Sequence, residues 1–301
     1  MGLKTPVAFL VFNRPETTAK VFAAIRHVQP ETLLVVADGP RPDRVNEATL
    51  CDKVRNITEQ VDWPCRVLRN YSEINMGCKK RISSGIDWVF DSVEEAIILE
   101  DDCLPDDSFF PFCEELLAKF RFDERVGHIS GVNFQFGSQQ TNESYYFSRY
   151  PHVWGWASWR RAWQNYDVDM KLWPSIKTQK LLSNILVEKR LTRRWGNIFE
   201  SVHSGEVDTW DYQWVFTNLI NNRLSITPSV NLVSNIGFGA TATHTQTINQ
   251  TAEIPTSHMT FPLRHLITII RDSICDHNVD LLNFPPTMLA KIKSRLISTL
   301  S

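Results

Sequence analysis

No spacing in this sequence pairs its cysteines. The six, Cys51, Cys65, Cys78, Cys103, Cys113 and Cys275, form no C-x-x-C unit and no Cys/His cluster with zinc-ligand spacing. That argues against a zinc module and a disulfide scaffold, and free thiols in a reducing compartment are expected. There is no basic excess either: the formal net charge is −2. A chain built to grip a nucleic-acid backbone carries a clear positive surplus, so no nucleic-acid partner is expected. No apolar run approaches the ~20 residues that a membrane span needs. Met1 to Pro6 lacks a basic stretch followed by an apolar one, so no signal peptide is expected. The expected location is the cytoplasm, at or near the inner face of the membrane. There is no G-x-x-x-x-G-K-[ST] loop, which argues against a P-loop NTPase. Internal repeats and low-complexity stretches are absent.

What is present suits a packed enzyme domain. The chain has 301 residues, 43% hydrophobic and 22% charged, enough for one large α/β domain with a small appendage. Val7 to Phe12 is a continuous apolar run, Thr32 to Ala37 reads as a second buried strand, and Cys65 to Leu68 and Glu95 to Leu99 read as the third and fourth strands. Continuous rather than alternating apolarity marks strands buried on both faces, as in a parallel sheet. Glu16 to Val28 has the helical spacing of Ala19, Val21, Phe22 and Ile25. Strands alternating with helices predict a βαβ sheet. Ligands in such sheets gather at the carboxyl ends of strands. Arg14, Asp38, Asn75 and Glu100-Asp101-Asp102 all follow predicted strand ends, which argues for one shared site.

Glu100-Asp101-Asp102 is the strongest chemical signal. Adjacent carboxylates repel one another and need a cation or many hydrogen-bond donors to be stable together. A divalent metal held by one or two carboxylates plus diphosphate oxygens meets that need, and hard oxygen ligands select Mg²⁺ or Mn²⁺. The plainer reading is a solvated loop capping the next helix, which suits Asp106 and Asp107. Asp38 could accept from a base or ribose, or be an ordinary turn Asp in Ala-Asp-Gly-Pro. Asn75-Met76-Gly77-Cys78-Lys79 puts a glycine turn before a basic helix start, where backbone amides and Lys79 could meet a diphosphate; a solvated basic face is the alternative. Asp211, between Trp210 and Trp214, could be a general base in an aromatic pocket, or simply sit at a helix start. Trp154, Trp156 and Trp210 are candidates for a sugar-stacking acceptor surface, with burial in a core patch as the alternative. His244 ends a glycine-containing loop that could close over a donor.

Taken in order, these segments resemble a GT-A nucleotide-sugar glycosyltransferase. The general look is that of the family 2 enzymes, and the closer likeness is to the N-acetylglucosaminyltransferase I type. The resemblance rests on strand–Asn13-Arg14-Pro15, strand–Asp38-Gly39, Asn75-x-Gly77, strand–Glu100-Asp101-Asp102, Pro105-Asp106-Asp107-Ser108-Phe109-Phe110 and Trp154-Gly155-Trp156. A Trp-Asp segment at 210–211 and a glycine loop ending near His244 complete it. Tyr212 and Gln213 depart from it, because they separate Asp211 from Trp214 where the family has a carboxylate pair.

The resemblance implies a GT-A, Rossmann-like α/β fold with a mixed, mostly parallel central sheet flanked by helices. The GT-A domain would span 1–245, with a nucleotide-binding half at about 1–105 and an acceptor-binding half at about 106–245. A C-terminal linker and helical tail would occupy 246–301, with an apolar helix around Leu263 to Ile270 and a basic helix around Met288 to Leu300. It implies that Arg14 and Asp38 contact the nucleoside and that Asp102 binds metal, with Glu100 and Asp101 near ribose and sugar. Asp211 would be the base of an inverting transfer, and His244 would sit in a donor-closing loop. The expected donor is a nucleotide sugar, UDP-linked before GDP-linked, and the expected acceptor is a glycan or lipid-linked molecule in polysaccharide assembly. The tail is a candidate for peripheral membrane contact. Two alternatives stand beside this reading: a sugar nucleotidyltransferase, and a non-catalytic carbohydrate-binding or membrane-associated protein.

Overall fold

A computed structural model describes residues 2–138, 141–238 and 253–285. Three strand–helix units and a fourth strand open the chain. They are β1 (Val7–Val11) with α1 (Pro15–Val28), β2 (Thr32–Ala37) with α2 (Glu47–Thr58), β3 (Arg66–Tyr71) with α3 (Cys78–Ser92), and β4 (Glu95–Glu100). After β4 come a short β5 (Cys103–Pro105), α4 (Phe109–Phe120), β6 (Val126–Ser130), β7 (Tyr145–Ser148) and β8 (Trp156–Trp159). A run of helices follows: α5 (Arg160–Trp163), α6 (Trp173–Thr178), α7 (Leu182–Ile185), α8 (Lys189–His203) and α9 (Asp211–Ile220). The described chain closes with β9 (Leu224–Pro228), β10 (Val233–Asn235) and α10 (Ser273–Asn283).

The large sheet runs β3-β2-β1-β4-β8-β6-β9-β7. Its first four strands are mutually parallel, and β6 pairs parallel with β9. β8 is antiparallel to both neighbours, and β7 is antiparallel to β9. This is the mixed, mostly parallel sheet flanked by helices that the sequence predicts. Every residue of β1 is buried, because strand alternation sends its side chains into two cores. Val7, Phe9 and Val11 join Phe22, Ile25, Val54 and Phe109 on one face. Ala8 and Leu10 join Ile86, Val89, Phe90, Trp156 and Trp214 on the other. β3 is the outer edge; its Arg66 and Arg69 suit a strand that must not recruit another.

A third apolar cluster gathers Trp173, Leu191, Trp195, Phe199, Phe216 and Val279 from α6, α8, α9 and α10. α10 is fixed by buried acids. Asp276 accepts from the Ser148 hydroxyl at 2.6 Å and from Arg149 Nε at 3.3 Å, and Asp280 accepts from the Tyr150 hydroxyl at 2.5 Å. Residues 263–270 are not the expected helix but an irregular stretch. Within it Arg264 O accepts from the Ser144 amide, and just beyond it the Asp272 amide donates to Phe147 O of β7. The last helix among the described residues is α10, and the expected basic helix around 288–300 lies outside the described part. Among the described residues, no helix is long and apolar enough to cross a membrane.

Candidate active site

The carboxyl ends of β1, β2, β3 and β4 lie side by side, so the loops that follow them share one edge of the sheet. After β1, Asn13 donates to Glu47 Oε1 at 2.9 Å, and the Arg41 amide donates to Glu47 Oε2 at 2.6 Å. The Arg41 guanidinium lies 5.6 Å over the Phe12 ring. Glu47 is buried, and its bonds from Arg41 hold its carboxyl below the usual range. One acid thus ties the loops after β1 and β2 together.

Asp38, directly after β2, does the same for the loops after β2 and β3. It is buried and accepts from the Gly39 amide at 2.9 Å, the Met76 amide at 3.0 Å and Asn75 Nδ2 at 3.0 Å. Burial pushes its pKa up despite those donors. Its oxygens are already engaged, so the role the structure gives it is that of the turn-forming Asp rather than a free acceptor for a nucleoside. Asn75 also bonds Gly39 O at 2.9 Å, which makes it a second pin in the same loop. Gly77 then opens α3 at φ +80, where glycine carries no steric penalty. Lys79 is partly exposed in the first turn of α3 and has no ion-pair partner among the described residues.

The acidic triplet ends β4. Asp101 is buried, and it accepts from the Phe12 amide at 3.2 Å and from Arg14 Nη2 at 2.5 Å. Arg14 Nη1 reaches Asp102 Oδ2 at 2.8 Å. Among the described residues, Asp102 Oδ1 has the Cys103 thiol as its one donor, at 3.6 Å. Among the described residues no side chain donates to Glu100. Burial, then the charges of Asp102 and Asp101, push Glu100 well above the usual carboxylate range. Among the described residues Arg14 is thus the one cation bonded to the triplet, and it reaches Asp101 and Asp102 but not Glu100.

The small sheet explains how a distant segment reaches this spot. β10 pairs antiparallel with β5, placing Asn235 opposite Cys103. The Ile236 amide donates to Asp102 O at 2.8 Å. Gly237 follows, so close that an added Cβ would lie 2.1 Å from Asp102 Oδ2 and 2.7 Å from Arg14 Nη1. Only glycine lets the loop lie on the acid–arginine pair. His244, expected to end this loop, lies outside the described residues.

Asp211 closes the opposite side as the first residue of α9. Its Oδ1 accepts from the Thr209 hydroxyl and from the Tyr212 amide, the latter at 2.9 Å. No donor reaches Oδ2 among the described residues. Asp211 is near enough to add to the charge that raises Glu100. Cys78 sits among these groups. Burial, then Glu100, Asp208, Asp211 and Asp38, push its thiol up to about 12. Cys78, Asp208 and Gly237 carried no separate signal in the sequence, because their importance lies in what folds against them.

Two of the three tryptophans expected to face a sugar do not. Trp156 is 0% and Trp210 is 3% exposed. They stack on each other at 5.8 Å and pack with Trp163 and Trp214. Trp156 lies on a central strand, β8, whose two faces are both covered, so burying its ring wins over solvent exposure. Trp154 is partly exposed and meets Phe134 and Phe238 edge-on, at 5.3 and 5.6 Å. It alone of the three borders the loop over Asp102.

A hard divalent cation fits this donor set. The available atoms are carboxylate oxygens, and their charge exceeds that of Arg14. Among the described residues no three-residue protein cage exists, so an ion held here would need further oxygens from a ligand, the usual habit of Mg²⁺ at phosphate sites.

No family model matches the chain, and no curated protein sequence does. Solved structures overlap it partially. A mannosyltransferase from Pyrobaculum calidifontis, in complex with GDP-Man and Mn²⁺, is 14% identical with a TM-score of 0.41. That alignment covers 56% of this chain and 49% of the other, so the chain spans about half the length of that enzyme. A UDP-glucose pyrophosphorylase complexed with UDP-glucose is 10% identical with a TM-score of 0.37, covering 74% of this chain and 90% of that one. Mouse xyloside xylosyltransferase 1 is 10% identical with a TM-score of 0.32, covering 71% and 81%.

Proposed function

We propose that this chain is a GT-A-type glycosyltransferase that moves a sugar from a nucleoside diphosphate sugar, UDP-linked before GDP-linked, to an acceptor hydroxyl. One observation carries the reading. Arg14, the Glu100-Asp101-Asp102 triplet, Gly237 and Asp211 converge from four parts of the chain on one edge of the sheet.

The roles follow from chemistry. The first turn of α3 has unsatisfied amides and the Lys79 ammonium, a fitting cradle for a diphosphate. Asp38 and Asn75 fix the loop that shapes the nucleoside side. Asp102, with Glu100 beside it, would hold a Mn²⁺ or Mg²⁺ ion, which supplies positive charge to the departing diphosphate. Arg14 holds Asp101 in place, and its charge opposes the burial that pushes that carboxyl up to about 6. Asp211 Oδ2 takes the acceptor proton as the hydroxyl oxygen bonds the anomeric carbon and the sugar–phosphate bond breaks. That is a single displacement, which inverts the anomeric centre. Trp154 would border the bound sugar.

The test is binding. Thermal melts of the purified chain would be recorded with UDP-sugars and GDP-sugars, in Mn²⁺ and in chelator. A stabilisation by one donor that chelator removes supports the reading. No stabilisation by any nucleotide sugar contradicts it.

A further inference from the structure

The N-terminal half of α8 breaks a local rule. Lys189, Arg190, Arg193 and Arg194 open it, and its first turn contains no acidic residue. Cations are unfavourable at the positive end of a helix dipole. Only Arg190 has an internal use, donating to the Phe284 carbonyl just past α10. Among the described residues, Glu200 of α8 pairs with Lys177 and Glu188 at its start pairs with His277, while the buried acids of α10 pair with Arg149 and Arg271. Lys189, Arg193 and Arg194 are exposed and unpaired among the described residues. Folding does not explain them.

Apolar surface lies next to this charge. Val187, two residues before α8, is 84% exposed, and Ile274 on α10 is 74% exposed. α10 buries Cys275, Asp276, Val279 and Asp280, so Ile274 and Leu281, two turns apart, share its outer face. Two contacts join this face to α8: Arg190 with Phe284 O, and His277 Nδ1 at 3.8 Å from Glu188 Oε1. Just upstream, Ile267 and Ile270 are exposed while their neighbours Leu266 and Ile269 pack on the core.

Charge decides what could cover this surface. A second copy would bring the same cations and repel. The chain beyond Pro285 contains Lys291, Lys293 and Arg295 and no acidic residue, so it adds positive charge rather than neutralising it. An anionic polymer such as RNA would satisfy the cations but leave Val187, Ile274 and Leu281 in water. A bilayer with anionic headgroups satisfies both kinds of group. We propose that the α8–α10 face docks on an anionic lipid surface. The buried side of α8 places Trp195 6.1 Å from Tyr212, the neighbour of Asp211. The docking face is thus about one helix diameter, ~10 Å, from the proposed base. Docking stands apart from the sugar-transfer reading and is tested without turnover.

The experiment is flotation of the full chain with phosphatidylcholine vesicles, with and without added phosphatidylglycerol. Binding only to the anionic vesicles, weakened by salt, is the expected result. The double variant Arg193→Glu, Arg194→Glu should weaken it roughly 30-fold or more, and Ile274→Asp should weaken it while leaving the thermal melt unchanged. Equal binding to both vesicle types, or none, would overturn the proposal. So would undiminished binding by the double variant, which would assign attachment to the tail alone. Tighter binding of RNA than of anionic vesicles would also overturn it.

Discussion

Arg14 holds Asp101 and Asp102 at once, with Nη2 2.5 Å from Asp101 Oδ1 and Nη1 2.8 Å from Asp102 Oδ2. The arginine comes from the end of β1 and the acids from the end of its neighbour β4. Replacing it by methionine leaves Asp101 buried without its cation. Arg14→Met should lower folding stability by about 3 kcal/mol, read as the urea midpoint. Arg14 also competes for Asp102 Oδ2, so Mn²⁺ should bind the variant more tightly than the parent in calorimetry. Weaker Mn²⁺ binding by the variant would show that Arg14 organises the acids for metal rather than competing with it.

Gly237 is the residue through which the loop after β10 rests on that pair. Gly237→Ala puts a methyl group within 2.1 Å of Asp102 Oδ2, so the loop must lift. Turnover should fall roughly 100-fold, the scale of a 1 Å misplacement, with little change in melting temperature. Unchanged turnover would mean that this loop plays no part in the reaction.

Asp211→Asn keeps the bond from the Tyr212 amide to the side-chain oxygen but removes the base. The transfer rate should drop by roughly 10² to 10⁴, while the affinity for the nucleotide sugar measured by calorimetry stays the same. A variant that transfers at the parent rate would move the base to another group, with Asp208 the nearest alternative beside Gly77.

His128 makes folding sensitive to acid. It is fully buried, accepts from Trp214 Nε1 at 3.1 Å, and donates to His152 O at 2.9 Å. Burial pushes its pKa down to about 3. The folded form stays neutral while the unfolded chain takes up a proton near the ordinary histidine value. Stability from this group is therefore complete above about pH 6.5 and is lost as pH falls toward 3, at up to about 1.4 kcal/mol per unit. His128→Gln can keep both hydrogen bonds without titrating. Relative to His128→Gln, the parent's urea midpoint should lose ground as pH falls from about 7 to about 5, against the opposite slope that the raised Glu100 and Asp101 contribute. An equally steep slope in the variant would assign it to other groups, His152 first, which burial lowers to about 4.

The first half of the fold was legible because β1, β2 and β4 are buried on both faces. Thr32–Ala37 reads as an unbroken apolar run and forms β2 over those same residues. The strand ends then placed Arg14, Asp38, Asn75 and the triplet on one edge, since a parallel sheet leaves little choice. What the residues do there was less legible. Asp38 by itself reads as a turn residue before a ligand, and the Met76 and Gly39 amides engage it as a turn would. Trp156 and Trp210 read as a surface because composition does not say which side of a tryptophan faces water. Residues 263–270 have helical apolar spacing, yet they form an irregular stretch tied at Arg264 to Ser144 and followed by a bridge from Arg271 to Phe147. Gly237 needed the β5–β10 pairing, a contact between segments far apart in sequence, before its role was visible.

The most direct measurement is the release of nucleoside diphosphate from a panel of UDP- and GDP-sugars, with candidate acceptors, in Mn²⁺ and in chelator. The account predicts release from one donor that chelator abolishes and that Asp102→Ala lowers by at least ~100-fold while the variant still melts cooperatively. Release that persists in chelator, or at the parent rate in Asp102→Ala, would contradict the account. So would pyrophosphate production from a nucleoside triphosphate and a sugar phosphate, which would assign the same acidic edge to nucleotidyl transfer.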